Sequence, residues 1–310
     1  MTDRNNRRPP GIDRRDLMVA GLGAVTLAAA MSSAQAQVQQ PQAQPAAPAP
    51  GAGKVNVERR GAVLLIGIDR QEARNLVDAP IQIGIGKAYY QLDHDDGLRA
   101  AVLYGVGRDF CLGADLAAFA AAQAAGVLPP KDPDFVNPIG LRPPLRAKPV
   151  VVAVQGGTKY LGHELFLAAD IRVAASDSVF SQGEVARGVF PGGGGTVRFP
   201  REVGWANAMR YMLTGDEWGA EEARRLGLVQ EVTAPGKQLD RAVELATKIA
   251  AAAPLGVRAT LASSRQALAA EEATALAALQ ADFGRILQSE DRKEFGRALQ
   301  EGRSPVYRGI

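Results

Sequence analysis

The sequence predicts an α/β fold: buried, largely parallel strands alternating with helices, followed by a helical C-terminal region. Three observations carry that expectation. Short apolar runs of strand length recur at residues 62–68, 99–105, 149–154 and 171–174. They are continuous rather than alternating, the pattern of strands covered on both faces. Segments of helical length lie between them, at 81–92, 113–125 and 161–169. Past Lys237 nearly every residue falls in a helical pattern, after one further strand expected at 228–232.

Taken in order, the chain opens on an address rather than a fold. Asp13-Arg14-Arg15-Asp16 precedes an uncharged run, 17–36, that ends in Ala34-Gln35-Ala36. A basic start, a short apolar stretch and an Ala-x-Ala site make a secretory signal peptide. The paired arginines have the form of a twin-arginine export signal, so residues 1–36 are expected to be cleaved after Ala36. The run is rich in Ala and Gly and poor in Leu and Ile, so stable membrane insertion is not expected once it is removed. The expected location is periplasmic or secreted, and cytoplasmic if the signal is not used. Residues 37–53, built from Gln, Ala and Pro, read as a flexible linker. An α/β core is expected at 54–235 and the helical region at 236–310. Within the core, residues 125–148 hold six prolines and two glycines, an irregular loop long enough to act as a lid.

Composition narrows the function classes. Of 310 residues, 46% are hydrophobic and 22% charged, enough for a sizeable core. The net charge is +3, but five arginines against three aspartates in residues 1–36 supply two of those charges. The mature chain at +1 gives nucleic-acid binding little electrostatic support. One cysteine, Cys111, and two histidines, His94 and His163, exclude an internal disulfide and make a metal centre unexpected.

The chemistry concentrates between Gln155 and Pro200. Glu164 falls in the first turn of the helix expected from Leu161, after the glycines of Gln155-Gly-Gly-Thr-Lys-Tyr-Leu-Gly-His-Glu164. Glu184 ends Phe180-Ser-Gln-Gly-Glu184, and Pro191-Gly-Gly-Gly-Gly-Thr196 follows. Upstream, a strand feeds Gly113-Ala114, where a helix start leaves backbone N–H groups free to face a developing negative charge. Each piece alone fits an ordinary turn or a carboxylate on a helix dipole. The glycine run lacks the Lys-Ser/Thr of a phosphate loop and is expected to open a helix near Val203. His163 is expected either to pack between helices or to serve as a third proton-transfer group, and Cys111 to be a small buried residue.

Together these pieces resemble the enoyl-CoA hydratase/isomerase (crotonase) family. The resemblance runs in order from about Val55 to Ile310. It rests on Val154-Gln-Gly through Ala169-Asp170-Ile, Phe180-Ser-Gln-Gly-Glu184, Gly188-Val-Phe-Pro-Gly-Gly-Gly-Gly-Thr196 and Leu213-Thr-Gly-Asp216. Ile68-Asp-Arg-Gln-Glu-Ala-Arg-Asn75 fits as well, with Gln71 where the family usually has proline. The resemblance implies a crotonase-like ββα spiral core with a C-terminal helical oligomerisation region, assembled as a homotrimer or hexamer. It implies Glu164 and Glu184 as catalytic carboxyls and the backbone N–H groups of Ala114 and Leu161 as an oxyanion hole. Arg70, Arg74, Gly113, Asp115, Gly162 and Arg303 become candidate contacts to substrate or coenzyme A. No bound cofactor is implied; coenzyme A would enter as part of a thioester substrate.

Hydration of an α,β-unsaturated acyl thioester is the expected reaction. Export sits awkwardly with coenzyme A thioesters, which leaves two alternatives: an exported C–C bond hydrolase or isomerase acting on a β-dicarbonyl or enone without coenzyme A, and a non-catalytic oligomeric binding protein.

Overall fold

Strand β1 (Lys54–Arg60) turns back through Gly61 and pairs antiparallel with β2 (Val63–Asp69), Lys54 opposite Asp69 and Arg60 opposite Val63. The computed structural model describes residues 51–130 and 132–306. The expected signal peptide and residues 37–50 of the expected linker lie outside the described residues. The end of that linker is tied down, because Gly53 N–H donates to Asp78 at 2.7 Å and Arg70 Nε donates to Gly51 O at 2.8 Å. Strand β1 was not visible as an apolar run, since its residues are almost all exposed. It is a charged edge strand, the form that discourages further pairing.

From β2 the chain enters α1 (Ala79–His94), whose start is fixed by Asp78 accepting the Ile81 N–H at 3.0 Å. Then come β3 (Ala100–Gly105), α2 (Leu116–Ala124) and, after the proline-rich loop, β4 (Val150–Val154). Two strand–strand steps follow: β4 leads into β5 (Gly157–Lys159) and α3 (Leu161–Leu167), and β6 (Ile171–Ala175) leads into β7 (Val179–Ser181). The first strand of each step joins one sheet and the second joins another, which makes the ββα spiral. Helices α4 (Gly195–Val203) and α5 (Trp205–Thr214), strand β8 (Trp218–Gly219), helix α6 (Ala220–Arg225) and strand β9 (Glu231–Thr233) complete the spiral.

The large sheet runs β1-β2-β3-β4-β6-β9, parallel from β2 onward, and the small sheet runs β5-β7-β8. Period-two alternation divides the large sheet into two buried faces. Leu64, Ile66, Ile68, Val150, Val152 and Val154 point into the main core with α1 and α3. Val63, Leu65, Val102, Val151 and Val173 point the other way, onto Ala242, Ala246 and Ala250 of α7 (Gln238–Ala251). Their small side chains at four-residue spacing let that helix lie close on the sheet. Thus the first helix of the expected C-terminal region covers the large sheet. It is followed by α8 (Pro254–Leu287) and α9 (Glu290–Glu301).

Three boundaries differ from expectation. Helix α2 opens at Leu116 rather than 113, because Asp115 caps it by accepting the Ala118 N–H at 3.0 Å. Helix α4 opens at Gly195 and closes at Val203, so the glycine run is its start rather than a turn before it. Strand β9 begins at Glu231; Leu228 and Val229 are instead buried in the turn after α6. No helix among the described residues is long and apolar enough to cross a membrane.

Candidate active site

The site lies where β3 and β4 end, the carboxyl edge at which open α/β sheets place ligands. The loops leaving these strands are stitched together. Asp109 accepts the Gly157 N–H at 2.8 Å and is itself held by Arg74 at 2.8 and 3.0 Å. Cys111 N–H donates to Gly157 O at 3.0 Å, and Lys159 N–H returns to Cys111 O at 2.9 Å. This short parallel bridge sets the Gly113-Ala114 segment beside Tyr160-Leu161. A Cβ on Gly162 would collide with the Cys111 carbonyl, so the close approach of α3 to this loop requires glycine there.

Both expected oxyanion-hole donors end up in that seam. Around Ala114, Val77 N–H donates to Gly113 O and Asp115 N–H donates to Val77 O, passing over the Ala114 N–H between them. No acceptor among the described residues takes the N–H of Ala114 or of Leu161. Leu161 follows Tyr160, whose φ of 53° and ψ of −122° are costly for a residue with a Cβ. Tyr160 is held there by its N–H on Ser181 O at 3.0 Å and by the Arg187 guanidinium 3.6 Å over its ring. The strained residue turns the chain from β5 into α3 in one step.

Glu164, one turn into α3, is 3% exposed. Its Oε1 accepts the N–H of Gly193 at 2.6 Å and of Gly195 at 3.0 Å. Burial pushes its pKa up to about 7, against these two donors and the Arg198 charge, which favour the anion. Arg198 donates to Gly193 O at 3.3 Å and Gly140 O at 3.4 Å, joining α4, the glycine run and the long loop. Glu184 opens a 3-10 turn after β7 and is 7% exposed. Burial, and then the charge of Glu164, push it up to about 8. Its Oε1 accepts the Gln182 amide N–H at 2.7 Å, while its Oε2 is buried without a partner among the described residues. Two buried carboxyls close enough to feel each other's charge, one held by two N–H groups and one with a bare oxygen, can divide base and acid duty.

The other candidate residues sort by what they touch. Gly113 and Gly162 line the seam between the two loops. Arg70 is 4% exposed and donates to Gly51 O, Leu76 O and, at 2.9 Å, Asp115. Arg70 and Asp115 therefore brace the loop into α2 from within. Arg74 pairs with Asp109 at the base of the seam. Arg303 is not brought together with the glutamates by any of its contacts; it pairs with Glu294 and Glu301 at the end of α9. Cys111 is fully buried and its thiol is pushed up to about 12, so it stays protonated.

The sequence model of the enoyl-CoA hydratase/isomerase family matches residues 58–309. The chain belongs to the enoyl-CoA hydratase/isomerase family. The enoyl-CoA hydratase EchA19 of Mycobacterium tuberculosis is 33% identical over 260 residues, covering 81% of this chain and 95% of that protein. The carnitinyl-CoA dehydratase of Proteus mirabilis is 34% identical over 261 residues, covering 82% and 98%. A solved carnitinyl-CoA hydratase from Mycobacterium avium matches with a TM-score of 0.74 at 33% identity, over 84% of this chain and 100% of that one. The match to the enoyl-CoA hydratase/isomerase family spans both glutamates and both stitched loops.

Within this enoyl-CoA hydratase/isomerase fold, sequence reading missed Gln182, Arg198 and the N–H groups of Gly193 and Gly195 as partners of the glutamates. Gln182 stands two residues before Glu184, and Arg198 follows the glycine run, so both lay inside segments already singled out. What the pattern lacked was the pairing of Glu164 with a loop 29 residues downstream.

Proposed function

We propose that this chain is a hydro-lyase that adds water to an α,β-unsaturated acyl thioester, with coenzyme A as the thioester part of the substrate. The observation that carries this reading is the pair of buried carboxyls, Glu164 and Glu184, with unequal hydrogen bonding. Names such as enoyl-CoA hydratase and carnitinyl-CoA dehydratase among relatives at about one-third identity support the same class.

In this reading the thioester carbonyl oxygen takes the free N–H groups of Ala114 and Leu161. Glu164 is the ionised member because Gly193 and Gly195 donate to it, and it accepts a proton from water as the water oxygen bonds to the β-carbon. The π electrons move onto the carbonyl oxygen, and the enolate so formed is stabilised by the two N–H groups. Glu184, protonated on its bare Oε2, gives that proton to the α-carbon as the enolate collapses. Passage of the proton from Glu164 to Glu184 restores the starting state. A trimer or pair of trimers is part of the proposal; exposed Trp205, Leu213, Leu255 and Leu299 offer apolar surface for it. Sedimentation as a monomer would remove that part.

The test is hydration of crotonyl-CoA, followed by loss of enone absorbance, together with calorimetry of coenzyme A binding. Turnover and saturable binding support the proposal. Binding-free protein with no turnover refutes it.

A further inference from the structure

His163 is a buried titratable residue that the proposed reaction does not use. Its ring is fully buried, with the rings of Phe166, Phe199 and Trp218 at 5.4, 5.2 and 5.3 Å. Among the described residues Nε2 meets no partner in this aromatic cage, whereas Nδ1 lies in close hydrogen-bond contact with Gln182 Oε1. An amide oxygen only accepts, so the proton sits on Nδ1 and Nε2 is the bare nitrogen. The charged groups acting on this cluster are Arg172 on His163, and Glu164 and Arg187 on Glu184. Burial, with Arg172 acting in the same direction, outweighs the opposing Gln182 hydrogen bond and keeps the imidazole neutral, its pKa pushed down to about 3.

The consequence runs through the Gln182 amide. With its oxygen fixed on His163, its NH₂ end faces Glu184 Oε1 at 2.7 Å. The carbonyl oxygen of a neutral carboxyl is a better acceptor than its hydroxyl, so an N–H donated to Oε1 favours the proton of a neutral Glu184 on Oε2. With the amide turned around, its oxygen would face Glu184 and draw the carboxyl proton onto Oε1, away from the substrate. We infer that His163 is a positioning residue that fixes the Gln182 amide and so keeps the transferable proton of Glu184 on Oε2. This rests on the proposed reaction for the use of that proton, and on geometry alone for its place.

Nitrogen-15 NMR on histidine-labelled protein tests the geometry without touching the site. The chain has two histidines, and His94→Gln at an exposed position leaves His163 as the single signal. The expected result is a neutral imidazole protonated on Nδ1 from about pH 5 to about pH 9. Protonation on Nε2, or titration within that range, overturns the inference. Two variants test the consequence. His163→Phe keeps an aromatic ring but removes the donor, and kcat is expected to fall about 10-fold to 100-fold with little change in KM. His163→Asn places an amide N–H where Nδ1 stood, and is expected to recover most of that loss. Equal rates for the Phe and Asn variants, both folded by circular dichroism, contradict the role. If the unaltered protein hydrates nothing, the reading of the reaction fails and the role of Oε2 with it, while the tautomer still decides the hydrogen-bond geometry.

Discussion

Glu164 and Gly193 hold each other across the site: the backbone N–H of Gly193 donates to Glu164 Oε1 at 2.6 Å, and a Cβ on Gly193 would strike Oε2. That contact ties α3 to the glycine run that opens α4, and it supports the anion on the carboxyl read as the base. Glycine is required at 193 by this approach rather than by a phosphate.

Gly193→Ala should therefore displace the Glu164 carboxyl. We expect a destabilisation of about 1–3 kcal/mol from overpacking and a fall in kcat larger than any change in KM. Urea unfolding and steady-state kinetics on the same preparation check both. Unchanged kcat would show that the Gly193 contact is not needed for the chemistry.

Stability should fall as pH rises through neutrality. The pKa values of Glu164 and Glu184 are raised from 4.5 to about 7 and about 8, so the folded chain holds protons that the unfolded chain has released. The stabilisation those protons give is complete below about pH 4.5 and is lost as pH climbs through 7 to 8. Carboxyls lowered by their partners, such as Asp170 beside Arg146 and Glu222 beside Arg225, lose their contribution at lower pH and do not mask this window. Free energies of unfolding from urea titrations should decline between about pH 5 and pH 8 by several kcal/mol, and Glu164→Gln with Glu184→Gln should flatten the decline.

Much of this was legible in the sequence because it is local. Continuous apolar runs revealed β2, β3, β4 and β6, since each is buried on both faces. The start of α3 at Leu161 and the place of Glu164 in its first turn followed from glycines and helix spacing. Strands β5 and β8 were too short to give a period, and β1 too exposed to give contrast. The long-range part of the site stayed hidden for a different reason. Asp109 on Gly157 and Gly193 on Glu164 join segments 48 and 29 residues apart, and backbone donors leave no mark on side-chain pattern. The arginines illustrate the converse. Arg70 reads in sequence as a candidate contact to substrate or coenzyme A, yet it is 4% exposed beside Asp115 and Asp78.

Arg70→Met should thus act on folding. Removing the guanidinium leaves two aspartates without their cation, and loss of one partner of a buried pair costs about 3–5 kcal/mol. Differential scanning calorimetry should show a marked drop in Tm. An unchanged Tm with weakened coenzyme A binding would return Arg70 to the substrate contacts.

Export is proposed on residues 1–36 alone. Expressed in a host with a twin-arginine pathway, the mature protein should begin at Gln37 after cleavage behind Ala36. N-terminal sequencing of the periplasmic fraction checks this, and replacing Arg14 and Arg15 by lysine should hold the protein in the cytoplasm. Efficient export of the lysine variant would argue for a different route.

The division of labour between the two carboxyls is tested most directly by the pH profile of crotonyl-CoA hydration. With Glu164 ionised and Glu184 protonated in the active form, kcat/KM should peak between the two pKa values and fall on both sides. Glu164→Gln and Glu184→Gln should each lower kcat by about 10²–10⁴. A flat profile, with either variant turning over as fast as the parent, would contradict it.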